Sequence, residues 1–276
     1  MLQRLVNRQT PLIGVLWTRA FGPRTLGLRY LELLSSYTAV GMSKLRVGNP
    51  TGDGGYVMVD SFHGVSAALS IGIGNDVSWD FDLASRGIEI FQYDHTLSSP
   101  PSSHPKFHFQ AIGVARNTSE DGRFRSLTTM VSEIPDAGDL ILKMDVEGAE
   151  WGALSSNLKN ILDRFSQMVI EVHWPFSGTI RARLRRLRIL RKLNKTHRVV
   201  HVHANNFDDV ASLEGINIPN VIEITYLRKR GHHFVPAKEH LPTILDIAND
   251  PSKSEISMTE ILRQTSYSVN VQGKRR

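Results

Sequence analysis

The stretch AALSIGIGNDVSWDFDLASRGIEIFQYD, Ala67–Asp94, decides how this chain is read. It opens on an apolar run, Ala67–Ile71, and turns through Gly72-Ile73-Gly74-Asn75-Asp76. A polar, helix-compatible segment, Val77–Arg86, follows, and Gly87 stops it. A second apolar run, Ile88–Tyr93, closes on Asp94. Strand, glycine turn, helix and strand with a terminal acid make the plan of a nucleotide-binding βαβ unit. Glycines let the turn backbone lie against a ligand, because no Cβ intervenes. A carboxylate at the tip of the second strand accepts two hydrogen bonds from ribose hydroxyls.

The third glycine of G-x-G-x-x-G is replaced by Val77, which argues against a pyrophosphate at this helix start. An adenosyl ligand without phosphate does not need that close approach. It needs the turn beside its amino-acid portion and an acid for its ribose, and S-adenosylmethionine is such a ligand. The expected cofactor contacts are Gly72, Gly74, Asn75, Asp76 and Asp94, with Asp76 able to pair with the methionyl ammonium. Two glycines in an ordinary, ligand-free βα turn are the plain alternative.

Working outward, the acid-ended plan repeats. Asp139–Asp145 is a nearly continuous apolar run, as a buried parallel strand should be, and Glu147 and Glu150 follow it. Gln167–His173 is another and carries Glu171 and His173. His197–His203 ends in Ala204-Asn205-Asn206, and Val221–Leu227 is the last strand. Lys106–Val114 supplies a third strand of the first half, with helices expected at 128–134, 150–162 and 180–195. Six or seven strands alternating with helices predict a doubly wound α/β sheet. Ligands of such sheets lie at the carboxyl ends of the strands. Asp145, Glu171, His173 and His203 are therefore the candidate catalytic residues. Histidines can take a proton near neutral pH, and carboxylates can hold a hard divalent cation.

Upstream, Lys44–Asp60 contains the strong turn Asp53-Gly54-Gly55 and the strand-like Tyr56–Val59. It reads as a β-hairpin on the sheet, or as a lid that brings Asp53 to the ligand. Residues 1–43 read as an N-terminal helical extension, with Leu26, Tyr30, Leu33 and Leu34 at helical spacing. Residues 44–250 form the catalytic domain. Residues 251–276 lack a clear apolar period and read as a loosely ordered tail.

Composition is ordinary for a soluble globular protein, 41% hydrophobic and 22% charged. Cysteine is absent, which excludes disulfides and cysteine-ligated zinc. The net charge of +6 favours anionic partners. The apolar run Pro11–Trp17 is too short to span a bilayer and lacks a cleavage site, so a cytoplasmic protein is expected. Ile180–Lys195 is a basic amphipathic helix, with Ile180, Leu184, Leu187 and Leu190 on one face and Arg181, Arg185, Arg188 and Lys192 on another. It reads as a solvated helix or as a dock for an anionic acceptor or membrane surface. No nucleic-acid motif accompanies it.

ILKMDVEGAEW, Ile141–Trp151, resembles the signature of the FkbM-type S-adenosylmethionine-dependent methyltransferases. VGNPTGDGGYVMVD (47–60), the Ser70–Asp76 turn, FQYDHT (91–96), VIEVHW (169–174) and HVHANNF (201–207) are similar to successive blocks of one branch. The resemblance runs from about Leu45 to Leu227. It implies a Rossmann-like methyltransferase fold and methyl transfer to a hydroxyl, commonly on sugars or natural products. Ser70 departs from it, standing where many methyltransferases have an acid, so cofactor binding should rest on Asp76 and Asp94. A hydroxyl is a poor nucleophile and needs a base or a metal; a metal-free base is the preferred reading, with a divalent cation left open. Two readings compete: an NAD-dependent oxidoreductase, and a glycan- or membrane-surface-binding module without turnover.

Overall fold

The computed structural model describes residues 22–135, 137–158 and 161–273. Helix α1 (Pro23–Leu33) leads into β1 (Tyr37–Ala39), then the hairpin strands β2 (Lys44–Gly48) and β3 (Gly55–Val59). The central unit is β4 (Val65–Ile71), α2 (Ser78–Ser85) and β5 (Glu89–Tyr93). After it come β6 (Phe107–Gln110), β7 (Gly113–Ala115), β8 (Phe124–Ser126), α3 (Leu127–Ser132), β9 (Asp139–Met144) and α4 (Glu150–Leu154). The second half holds β10 (Phe165–His173), α5 (Ile180–Thr196), β11 (His197–Ala204), β12 (Val210–Leu213), β13 (Ile216–Pro219) and β14 (Val221–Arg228). The last elements are β15 (Phe234–Pro236) and α6 (Met258–Gly273).

Seven strands form one sheet in the order β11-β14-β10-β9-β4-β5-β6. β4, β5, β6, β9 and β10 run parallel; β14 is antiparallel to both β10 and β11. This is the mostly parallel α/β sheet expected from the strand pattern. All nine residues of β10 are buried, as are the last five of β9, which is why both read as unbroken apolar runs. The chain lays β5 and β6 on one side of β4, then crosses to β9 on the other. The strand ends of β4 and β9 therefore flank a topological switch point, where a crevice must open.

Of residues 1–43, expected to be a helical extension, the described part holds α1 and the strand β1; residues 1–21 lie outside the described residues. Leu26, Tyr30 and Leu31 of α1 are buried in the main core, and Asn194 of α5 donates to the Leu33 carbonyl at 2.8 Å. The β2–β3 hairpin is a separate two-stranded sheet that packs on the central one rather than extending its edge. Gln167 of β10 fixes it, accepting from the Val59 N–H (3.0 Å) and donating to the Val59 carbonyl (2.8 Å).

Four expectations shift. The strand 106–114 is two pieces, because Ile112 N–H turns back to the Gln110 carbonyl and the chain leaves the sheet to pair β7 with β8. The helix expected to 162 stops at Leu154, where the Ser155 and Ser156 hydroxyls bond the carbonyls of Gly152 and Ala153. On α5 the buried side is Leu187, Ile189, Leu190 and Leu193, while Ile180 is exposed. The tail, expected to be loosely ordered, contains α6, whose Met258 and Ile261 are buried in the main core. No helix of the described residues is long and apolar enough to cross a membrane.

Candidate active site

A cavity of about 500 Å³ opens at the ends of β4, β5 and β9. Gly72, Gly74, Tyr93, Asp94, Asp145 and Glu147 are among the residues that line it. The Gly72 backbone has φ +76°, and a Cβ there would lie 1.6 Å from the Asp145 carbonyl oxygen. Only glycine lets β4 turn this close to β9. Gly74 has φ +53°, and a Cβ there would meet nothing within 4 Å, so its backbone faces open space. Lys143, buried in β9, holds the turn from behind by donating to the Gly72 carbonyl at 2.8 Å.

Asp94 is buried at the cavity wall, as its place at the end of β5 predicts. Its Oδ2 accepts from the Gly74 N–H (3.0 Å), and its Oδ1 from the Thr96 N–H (2.8 Å) and hydroxyl (2.6 Å). Burial alone would raise its pKa; these hydrogen bonds outweigh it and hold the carboxyl below its ordinary value. Asp94 is thus an anion at neutral pH, oriented by the same turn it would help to shape around a ribose.

Asp76 and Asn75 do not line the cavity. Asp76 accepts from the Ser78 N–H (2.7 Å) at the start of α2 and from the Asn49 amide (3.1 Å), joining that helix to the hairpin loop. Asn75 is exposed. Asp76, expected to pair with a ligand ammonium, stands at the helix start and hairpin loop in this structure rather than on the cavity wall.

Beside the cavity the ends of β9 and β10 converge. One ligand atom each from Asp145, Glu171 and His173 lie within 4.8 Å of one another. His173 Nε2 is 3.4 Å from Glu171 Oε1, 3.4 Å from Glu147 Oε2 and 4.0 Å from Asp145 Oδ1. Burial lifts the Asp145 carboxyl to about 6 and that of Glu171 to about 8, with Asp145 adding to the rise at Glu171. Burial works against a charged His173, but Glu150 and Glu171 overcome it and push the imidazole up to about 10. Glu150 is fully buried and shapes the turn, accepting from the N–H groups of Gly148 (2.8 Å) and His173 (2.7 Å).

His203 lies apart from these three. Its Nδ1 is 3.2 Å from Glu223 and its Nε2 3.1 Å from Glu255, and the two acids, against the cost of burial, raise it to about 11. Asp53 reaches the cluster from the hairpin tip, though not the cavity wall. Asp53, Glu171 and Glu223 form a second close carboxylate group. Asn249 bridges two of its members, donating to Asp53 at 2.8 Å and Glu223 at 2.9 Å. Sequence reading passed over Glu223, Lys143 and Asn249. The first two carry a usable signal, a charge inside an otherwise apolar strand; Asn249 carries none.

The arrangement couples a glycine-lined cavity to a buried acid–histidine group through one shared residue, Asp145. Residues 69–204, from β4 to the end of β11, match the family model described as methyltransferase FkbM domain. Among solved structures, the methyltransferase FkbM from Methylobacillus flagellatus KT is similar at 13% identity and a TM-score of 0.34, over 58% of this chain and 43% of that one. A putative hemolysin from Streptococcus thermophilus is similar at 10% identity and a TM-score of 0.32, over 77% of this chain and 71% of its own. The chain thus spans less than half the length of the Methylobacillus protein. No curated protein matches significantly. The segment that matches the methyltransferase FkbM domain, residues 69–204, holds the cavity wall from Ile71 to Ala149 and the Asp145–Glu171–His173 group.

Proposed function

We propose that the chain is an S-adenosylmethionine-dependent O-methyltransferase whose acceptor is a hydroxyl on a sugar, glycan or natural product. The observation that carries this reading is the position of Asp145, which lines the cofactor-sized cavity and belongs to the acid–histidine group. The residues fit the cofactor. The Gly72–Gly74 backbone lines the cavity without Cβ atoms, and Asp94 offers an ionised carboxylate to ribose hydroxyls. When bound, the cofactor supplies a sulfonium methyl that passes to the acceptor oxygen as the carbon–sulfur bond breaks and its electron pair stays on sulfur.

This chain's own task is the hydroxyl proton. His173 and His203 are poor bases at neutral pH, because their acidic neighbours hold them protonated. Asp145, lifted to about 6 mainly by burial, is ionised near neutrality and more basic than an ordinary aspartate. The preference for a histidine base therefore gives way to Asp145 at the cavity wall. Val77 is buried at the start of α2, where a pyrophosphate site would need glycine, which weighs against a dinucleotide.

α5 favours an acceptor, or a surface bearing it, of anionic character. Arg181, Arg185 and Arg188 are exposed, and Arg116, Arg185, Arg188 and Lys192 line a groove of about 210 Å³. Calorimetric titration with S-adenosylhomocysteine and with NAD, followed by methyl transfer to a panel of sugars, tests the reading. Micromolar S-adenosylhomocysteine binding with turnover is expected. NAD binding in its place would favour an oxidoreductase, and binding without turnover on any acceptor a surface-binding module.

A further inference from the structure

We propose that Asp145, Glu171 and His173 form a binding site for one divalent cation of the Mn²⁺ or Mg²⁺ class, at the wall of the cavity. The proposal deepens the methyltransferase reading and rests on it only for the cation's role, not for its binding.

Three observations support the site. The first is the donor set: two carboxylates and an imidazole, from two neighbouring strands, within 4.8 Å of one another. A cation about 2.1 Å from each of three octahedral ligands sets them about 3 Å apart. The present separations from His173 Nε2, 3.4 Å to Glu171 and 4.0 Å to Asp145, need only a small contraction.

The second is an orphan. Glu171 is 5% exposed, and its Oε2 has no hydrogen-bond partner among the described residues. Its Oε1 receives one donor, the Asn205 amide at 3.3 Å. An unmatched carboxylate oxygen at this depth costs free energy unless something positive meets it. The Asp53–Glu171–Glu223 group shares Glu171, but the Asn249 amide already serves its other two members. Of the two groups that share Glu171, the one with Asp145 and His173 has, among the described residues, no amide bridging its other two members, and it is the one chosen for the ion.

The third is the orientation of His173. Its Nδ1 lies 3.7 Å from Glu150 Oε1, while Nε2 faces Asp145, Glu147 and Glu171. A proton kept on Nδ1 toward Glu150 leaves the Nε2 lone pair for the ion, the carboxylate–histidine–metal arrangement. Glu150 also fixes the backbone on both sides, at Gly148 and His173. It is a positioning residue. With Asp145 a ligand, the cation would hold the acceptor oxygen at the cavity wall. The hydroxyl proton then leaves to the exposed Glu147, whose side chain also lines the cavity.

The test is Mn²⁺ titration of the full chain after EDTA stripping, read by electron paramagnetic resonance and calorimetry, with S-adenosylhomocysteine titrated separately. About one Mn²⁺ per chain is expected. Glu171→Gln and His173→Gln should weaken it at least tenfold, Glu150→Gln about 10–100-fold, and Asp121→Asn on the exposed 119–123 loop not at all. Circular dichroism checks folding; if Glu171→Gln unfolds, Asp145→Asn, less deeply buried than Glu171, carries the comparison. No Mn²⁺ binding by the wild type at millimolar ion, or wild-type affinity in a folded ligand variant, overturns the site. S-adenosylhomocysteine binding without Mn²⁺ binding would sink the cation and leave the methyltransferase; the reverse would sink the methyltransferase and leave the cation.

Discussion

Replacing Gly72 and Gly74 by alanine, one at a time, separates the two jobs of the turn. At Gly72 the new Cβ would stand 1.6 Å from the Asp145 carbonyl oxygen. Relief requires the end of β9 to retreat by about 1.5–2 Å to reach ordinary contact distance. That movement breaks the hydrogen bond from Asp145 N–H to the Ile71 carbonyl (3.0 Å), worth about 1 kcal/mol. Left-handed backbone adds about 1–2 kcal/mol for a residue with a Cβ. Overpacking adds about 1–3 kcal/mol. Gly72→Ala should therefore lose about 3–6 kcal/mol, an exceptional value for one methyl group. At roughly 2–4 °C per kcal/mol the melting temperature falls by on the order of 10 °C. Gly74→Ala meets nothing within 4 Å. It should lose only the backbone term, about 1–2 kcal/mol. Its methyl would project into the cavity, however, so affinity for S-adenosylhomocysteine should fall while the fold stays intact. Urea unfolding and calorimetry on both variants read the two effects. Equal stabilities for the two variants would refute the reasoning, since the close approach of β4 to β9 would then not be what Gly72 provides.

Asp94→Ala should weaken S-adenosylhomocysteine binding by about 1.5–3 kcal/mol, the range for hydrogen bonds to a charged group; unchanged calorimetric affinity in a folded variant would mean that another residue holds the ribose. Asp246 is held at about 2: burial raises it, but His201 at 2.7 Å and the Thr243 N–H at 2.6 Å outweigh that. A depressed carboxylate stabilises the fold above its unfolded pKa of 3.8, and the contribution is lost as pH falls through about 2. Asp246→Asn should therefore be about 2 kcal/mol less stable at pH 7 and show a flatter acid limb in pH-dependent unfolding; an unaltered acid limb would contradict this. Changing Arg181, Arg185 and Arg188 together to Gln should leave S-adenosylhomocysteine binding intact while vesicle or anionic-acceptor binding falls and loses salt dependence. No change in either would make that face of α5 merely solvated.

What the sequence disclosed follows from how far each signal reaches along the chain. β9 and β10 were legible because strands buried on both faces must be apolar almost throughout. The rule that ligands of such sheets lie at the carboxyl ends of the strands brought Asp94, Asp145, Glu171 and His173 to one end. Proximity in sequence to the glycine turn did not place Asp76 on the cavity wall; its carboxylate accepts from Ser78 and Asn49 instead. His203 misled for a related reason. It ends β11, but β14 lies between β11 and β10, so Glu223 stands between it and Glu171. The β12–β13 hairpin was passed over although Glu214-Gly215, both at positive φ, is a local turn signal of the right kind.

Ser70, the departure from the family pattern, has a spatial answer that strand-end reading could not supply. Its hydroxyl donates to Asp80 Oδ2 at 3.1 Å, and the Gln92 amide donates to Oδ1 at 3.0 Å. Asp80 sits in the first turn of α2 and is fully buried. The acid missing from β4 is thus present behind it, ten residues on, joining β4, β5 and α2. Burial raises its pKa, and Lys143 of β9 is the chief influence in the opposite direction. Lys143 also holds the Gly72 carbonyl. A buried acid and a buried cation therefore tie together the three strands that frame the cavity. Ser70 does not line the cavity, so the side chain at position 70 serves the scaffold behind it.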